Sequence, residues 1–223
     1  MGRLIFFCTF QGLLCDIIGG KILELKILFE AMILSLLLTF AGSLWIDKLY
    51  LNNSELTFPE EISSRARFRK PILFCSLSIL IYLSADLWTV AAIFLLMLMT
   101  ITDFEQYMLF DAMTLPLAII GAIYSWQMNF FDHVTAAVIG GGIFLLLATV
   151  SKGALGGGDI KLIFALGFWL GTEKLLNVVL YGTIAGGLAA LFMILAKKKD
   201  RKSYFAYGPY FALSAICFLA NFG

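Results

Sequence analysis

Apolar residues run in blocks along this chain, at roughly residues 29–46, 71–85, 87–102, 112–127, 133–151, 160–171, 175–196 and 205–222. Between them lie brief polar interruptions such as "SAD" near 85, "QMNFFDH" near 130 and "GTEK" near 173. A helix needs about 20 residues to cross the hydrocarbon, and fewer where it is bent or short. The pattern therefore predicts an all-α polytopic transmembrane bundle of about eight helices, antiparallel neighbours joined by tight turns. Residues 1–28 are ambiguous. "LIFFCTFQGLLCDIIGG" after Arg3 starts like a signal peptide, but Asp16 interrupts it and no small-residue cleavage site follows. An extra helix, a re-entrant piece and an upstream extension before Met32 all stay open. The expected organisation is this segment, then a first transmembrane helix with a short loop over 29–70, then a transmembrane domain over 71–223.

Composition agrees. Of 223 residues, 61% are hydrophobic and 14% charged, whereas soluble domains are nearer half apolar and a quarter charged. A net charge of +1 gives no footprint for nucleic acid. Cys8, Cys15, Cys75 and Cys217 form no C-x-x-C pair, and His133 is the single histidine, so neither a zinc site nor any other metal site is expected. The cysteines read as small apolar residues in helices.

Basic residues set an orientation. Lys48, Arg65, Arg67, Arg69 and Lys70 fall in one connection, and Lys197, Lys198, Lys199, Arg201 and Lys202 in another. Together they hold 10 of the 16 Lys and Arg, and with eight spans both connections fall on one side. The positive-inside rule makes that side cytoplasmic, which places the chain in the cytoplasmic (inner) membrane of a cell.

Most acids then read as solvated loop charges: Glu55, Glu60, Glu61 and Asp200 inside, Asp86, Asp132 and Glu173 outside. Asp103 and Asp159 differ. Asp103 ends the run "FLLMLMTIT", Asp159 opens the next inward-facing mouth after Gly156, Gly157 and Gly158, and the same parity places both on the cytoplasmic face. The plain alternative is that each merely ends its helix at the interface, Asp159 as an N-terminal cap. Carboxylates at membrane depth are costly and mark sites, and glycines let the backbone bend so that Asp159 faces a cavity. Two carboxylates brought together share a proton, so that one serves as base on water while the other donates to a carbonyl. Lys161, one turn into its helix, either holds a carboxylate or snorkels to the interface. Glu105 and Asp111 are equally readable as supporting partners or as loop acids. A second reading of the two acids is a small proton-coupled transporter, and a third is a non-enzymatic assembly factor.

Four stretches carry a family resemblance: "GALGGGDIKLIFALGFWLG", "TDFEQYMLFDAMTLPLAIIG", "FAYGPYFALSAICFLA" and, more loosely, "AGSLWIDKLY". They resemble the type IV prepilin peptidases, bacterial membrane aspartyl proteases of the G-x-G-D class, although Phe110 stands where the family usually has Pro. The resemblance implies a catalytic pair at Asp103 and Asp159, prepilin or pseudopilin substrates, leader removal at the cytoplasmic face and no cofactor for proteolysis. Many members carry two C-x-x-C pairs binding zinc in the loop after the first span, associated with N-methylation. Here that loop, "LNNSELTFPEEISSRARFRKP", has no cysteine, so methyl transfer is not expected.

Overall fold

The computed structural model describes residues 2–54, 56–84, 86–150, 156–196 and 206–220, with side chains from residue 25 onward. Glu55, Asp200, the 197–202 basic segment and the side chains of Cys8, Cys15 and Asp16 lie outside the described residues. The longer helices are α1 (Gly2–Asn52), α2 (Arg69–Leu83), α3 (Leu87–Gln106), α4 (Asp111–Ser125), α5 (Phe130–Val150), α6 (Gly157–Leu195) and α7 (Gly208–Leu219). Among the described residues there is no strand. The backbone of the ambiguous opening segment continues into the first apolar run as a single helix.

Among the described residues, four helical stretches are long and apolar enough to cross a membrane: Leu25–Asn52, Leu87–Gln106, Phe130–Val150 and Gly157–Leu195. Two shorter apolar helices, Asp111–Ser125 and Gly208–Leu219, pack among them. The protein is thus a membrane helix bundle. Its central rod is α3, apolar on all sides, with 67% of its most apolar window buried against 28% in α5. Leu96, Leu98 and Met99 of α3 and Leu162, Ile163 and Leu166 of α6 all belong to one apolar core.

The sequence pattern separated 160–171 from 175–196, and the structure runs both into α6 with a break at Gly171. Gly171 has φ 70° and ψ −179°, a region in practice open only to glycine. The break is a reversal. Gly171 lies against Asp132 and His133 at one end of the bundle, and Gly140 lies against both Ile163 and Leu175. At the other end Gly186 meets Tyr207, while Gly208 meets Asp159. The two arms of α6 are therefore antiparallel, so that the seven longer helices among the described residues form eight rods.

Caps and small residues set this geometry. Asp86 accepts the Thr89 N–H at 3.2 Å and so caps α3. Asp132 accepts the Thr172 N–H at 3.1 Å and fastens the start of the returning arm. These two acids, expected as plain solvated charges, act as caps because each stands beside orphan N–H groups of a helix start. Gly167 crosses Ala137 so closely that a side chain there would strike the Ala137 backbone. Trp169 fastens the first arm to α4, donating its indole N–H to the Leu117 carbonyl at 2.8 Å beside side-chain-free Gly121.

Candidate active site

Asp103 and Asp159 arrive from opposite helix ends. Asp103 lies in the last turn of α3, which stops at Tyr107, a left-handed residue (φ 54°) whose N–H closes on the Asp103 carbonyl at 2.9 Å. Left-handed closure of this kind satisfies terminal carbonyls and turns the chain sharply. Asp159 is the third residue of α6, with Gly156 at the N-cap. Its carboxylate reaches back to accept the Gly156 N–H, in the manner of a capping box. Asp159 therefore stands at a helix start, as an acid in the first turn.

Gly208, the first residue of α7, shows that the two acids meet. A side chain there would place its first carbon 2.5 Å from Asp103 Oδ2 and 3.3 Å from Asp159 Oδ1. Oxygens of both carboxylates thus converge on one point, the place left empty by a glycine. The Gly208 N–H donates to the Asp103 carboxylate. Pro209, the second helical residue, has no N–H to leave unsatisfied there and holds the φ that a helix start needs. Asp103 is 5% exposed, while Asp159 is half-buried, so the pair has an open side at Asp159.

The three glycines before Asp159 work otherwise than by bending. Gly171 is the single glycine with positive φ among the described residues, and Gly156 is extended at φ −68° and ψ 140°. Gly156 contributes its N–H. Gly158 lets the α3–α4 connection approach, since a side chain would put its first carbon 2.8 Å from Leu109 Cβ. Gly157 has open space around it. Close approach rather than backbone freedom explains Gly158, and nothing in the structure requires a glycine at 157.

The supporting candidates separate. Lys161 pairs with Asp111, its Nζ 2.6 Å and 2.8 Å from the two carboxylate oxygens, with both side chains exposed. That pair stands at the mouth of a groove of about 520 Å³ between α4, α5 and α6, lined by Thr114, Leu115, Gly142 and Phe164. Glu105 is no loop acid. It is 6% exposed, receives Arg69 Nε at 2.9 Å and Nη2 at 2.7 Å on separate oxygens, and receives the Tyr50 hydroxyl at 2.9 Å. Sequence reasoning named Gly208 and Arg69 only within a motif and a basic cluster. The G-P-Y string was the sole indication for Gly208; nothing local distinguishes Arg69 from Arg67. Among the described residues no three His, Cys, Asp or Glu side chains stand together as a metal site would require.

The arrangement can do water-activated acyl chemistry. Two carboxyl groups around one small space can hold a water between them, one taking its proton while the other protonates a carbonyl oxygen.

Residues 90–191 match the type IV leader peptidase family. Similar proteins include the "Prepilin leader peptidase/N-methyltransferase" of Neisseria gonorrhoeae, 36% identical over 132 residues, covering 55% of this chain and 45% of the relative. The protein of that name from Pectobacterium carotovorum subsp. carotovorum is 33% identical over 129 residues, covering 54% and 46%. The one from Escherichia coli (strain K12) is 30% identical over 127 residues, covering 53% and 56%. The chain spans about half the length of the curated relatives it matches. No solved structure matches. The matched segment contains both aspartates and the glycine run, and over residues 90–191 the chain is similar to the type IV leader peptidase family.

Proposed function

We propose that this chain is a membrane aspartic endopeptidase that removes the leader peptide from type IV prepilin-like or pseudopilin-like proteins. The observation that carries the reading is the convergence of Asp103 Oδ2 and Asp159 Oδ1 on the space beside Gly208. A water held there loses its proton to one carboxylate as its oxygen attacks the scissile carbonyl. The other carboxyl protonates the carbonyl oxygen, and collapse of the tetrahedral intermediate passes a proton to the departing amine. Gly156 and Gly208 hold the two carboxylates by N–H donation, Gly158 admits the α3–α4 connection, and Gly157 leaves the mouth open. Lys161 and Asp111 form its rim, and Glu105 acts behind the pair. In this reading 29–70 supply the first span and its loop, and 71–223 the peptidase domain.

The cytoplasmic face of the inner membrane is the proposed location of the site. Its support is the concentration of Lys and Arg in the 48–70 and 197–202 connections. The transporter reading draws no support from the family match or the relatives, all of which are named as peptidases. Co-expression with candidate prepilins, with the new amino terminus read by mass spectrometry, tests the proposal. Leader removal by the parent chain and none by Asp103→Asn is the expected result; uncleaved substrate from the parent chain overturns it.

A further inference from the structure

The most heavily buried charges outside the dyad lie immediately behind it. Arg69 is 3% exposed, at the start of α2, and meets Glu105 through two nitrogens on two separate oxygens. Its remaining nitrogen, Nη1, reaches Asp47 Oδ1 and the Ser43 carbonyl on α1, and its guanidinium lies 5.3 Å from the Tyr50 ring. Tyr50 in turn donates to Glu105 Oε2 and packs on Phe110, which opens α4. Two elements, α2 through Arg69 and α1 through Tyr50, thus close on the carboxylate of Glu105. A planar fork gripping both oxygens restrains rotation as well as distance, which a point charge cannot do.

Glu105 is two residues beyond Asp103, so on a helix the two side chains point about 200° apart. A grip on Glu105 from the α1–α2 side directs Asp103 to the opposite side, where Gly208 and Asp159 stand. The neighbouring residues are held as well. The Gln106 amide accepts the Phe58 N–H at 2.8 Å and donates to the Phe58 carbonyl at 3.2 Å. Arg65 donates to the Glu105 carbonyl at 3.1 Å and lies 3.7 Å from the Phe58 ring centre. The short loop after the first span is fastened to the last turn of the helix that carries Asp103.

We propose that Arg69 is a positioning residue of the proteolytic centre: gripping Glu105 from behind, it fixes the rotation of the end of α3 that aims Asp103 at Asp159. The inference rests on the peptidase reading above. Its consequence is that the start of α2, which lies outside the family-matched segment, sets the rate of the chemistry while leaving substrate binding alone.

The test uses the full chain in detergent or proteoliposomes with a prepilin that the parent enzyme cleaves, and measures kcat, KM and melting temperature together. Arg69→Lys keeps the charge and loses the fork. Arg69→Met with Glu105→Met removes both charges, so that neither is left buried alone. Arg67→Ala, an exposed neighbour, is the control. The expected result is a kcat reduced about tenfold in Arg69→Lys and about a hundredfold in the double variant, with KM within about threefold, as for a misplacement of about 1 Å in a catalytic group. Parent kcat in Arg69→Lys overturns the proposal, as does parent kcat in the double variant; so does a fall in melting temperature with kcat per folded molecule unchanged. A parent chain that cleaves no prepilin, or cleavage retained by Asp103→Asn, would instead sink the peptidase reading itself.

Discussion

The backbone N–H of Gly208 donates to the Asp103 carboxylate, and the side chain that Gly208 lacks would stand 2.5 Å from Asp103 Oδ2. One residue therefore both orients an acid and vacates the space in front of it. Gly208→Ala should fold, because small shifts of a carboxylate can relieve a single methyl. Cleavage should fall by about a hundredfold or more, since the methyl occupies the place where water must sit. Turnover assays beside a melting curve check this; unchanged turnover would show that the space is not used.

Asp103→Asn and Asp159→Asn should each abolish cleavage while the protein still inserts and accumulates, amide replacing acid at nearly equal volume. The double variant should be no worse than either single, because residues acting as one catalytic unit are strongly non-additive. Peptide cleavage, rather than growth, is the required readout, since a proton relay would lose function in the same variants.

Gly171→Ala should destabilise the bundle without touching the acids. A side chain is forced into a backbone region costing about 1–3 kcal/mol and into the Asp132 carboxylate besides. Reduced accumulation and a lower melting temperature are expected, with turnover per folded molecule retained. A stability equal to the parent would mean that the reversal tolerates another backbone path.

Lys161→Met and Asp111→Asn should each leave measurable cleavage and change stability by less than about 1 kcal/mol, the usual range of exposed ion pairs. Both side chains of this pair are more than half exposed, at 54% and 60%. Loss of all activity in either variant would move Lys161 or Asp111 into the catalytic group.

Purified chain supplied with S-adenosylmethionine and prepilin should release a leader and leave the new amino terminus unmethylated. The connection between α1 and α2 contains no cysteine and is built instead from Phe58, Arg65 and Gln106 contacts. Its roughly twenty residues are too few for a zinc module beside a cofactor site. A methylated product in the mass spectrum refutes the expectation.

The sequence by itself determined the class of the molecule and singled out two candidate acids. Apolar runs of span length can hide their backbone polar groups only as helices, so the bundle follows from composition and periodicity. Carboxylates beside such runs are expensive enough that Asp103 and Asp159 stood out before any contact was known. The reversal at Gly171 was visible as a boundary between two runs, though not as a positive φ within one helix. What only the tertiary structure decided is which neighbours complete the site. Gly208 reaches the dyad from over a hundred positions after Asp103, and Arg69 reaches Glu105 across 36. Local pattern reports burial and period, but it does not report which helix end faces which. That is settled by packing, because the grip on Glu105 and the gap at Gly208 exist only once α2, α3, α6 and α7 share one core.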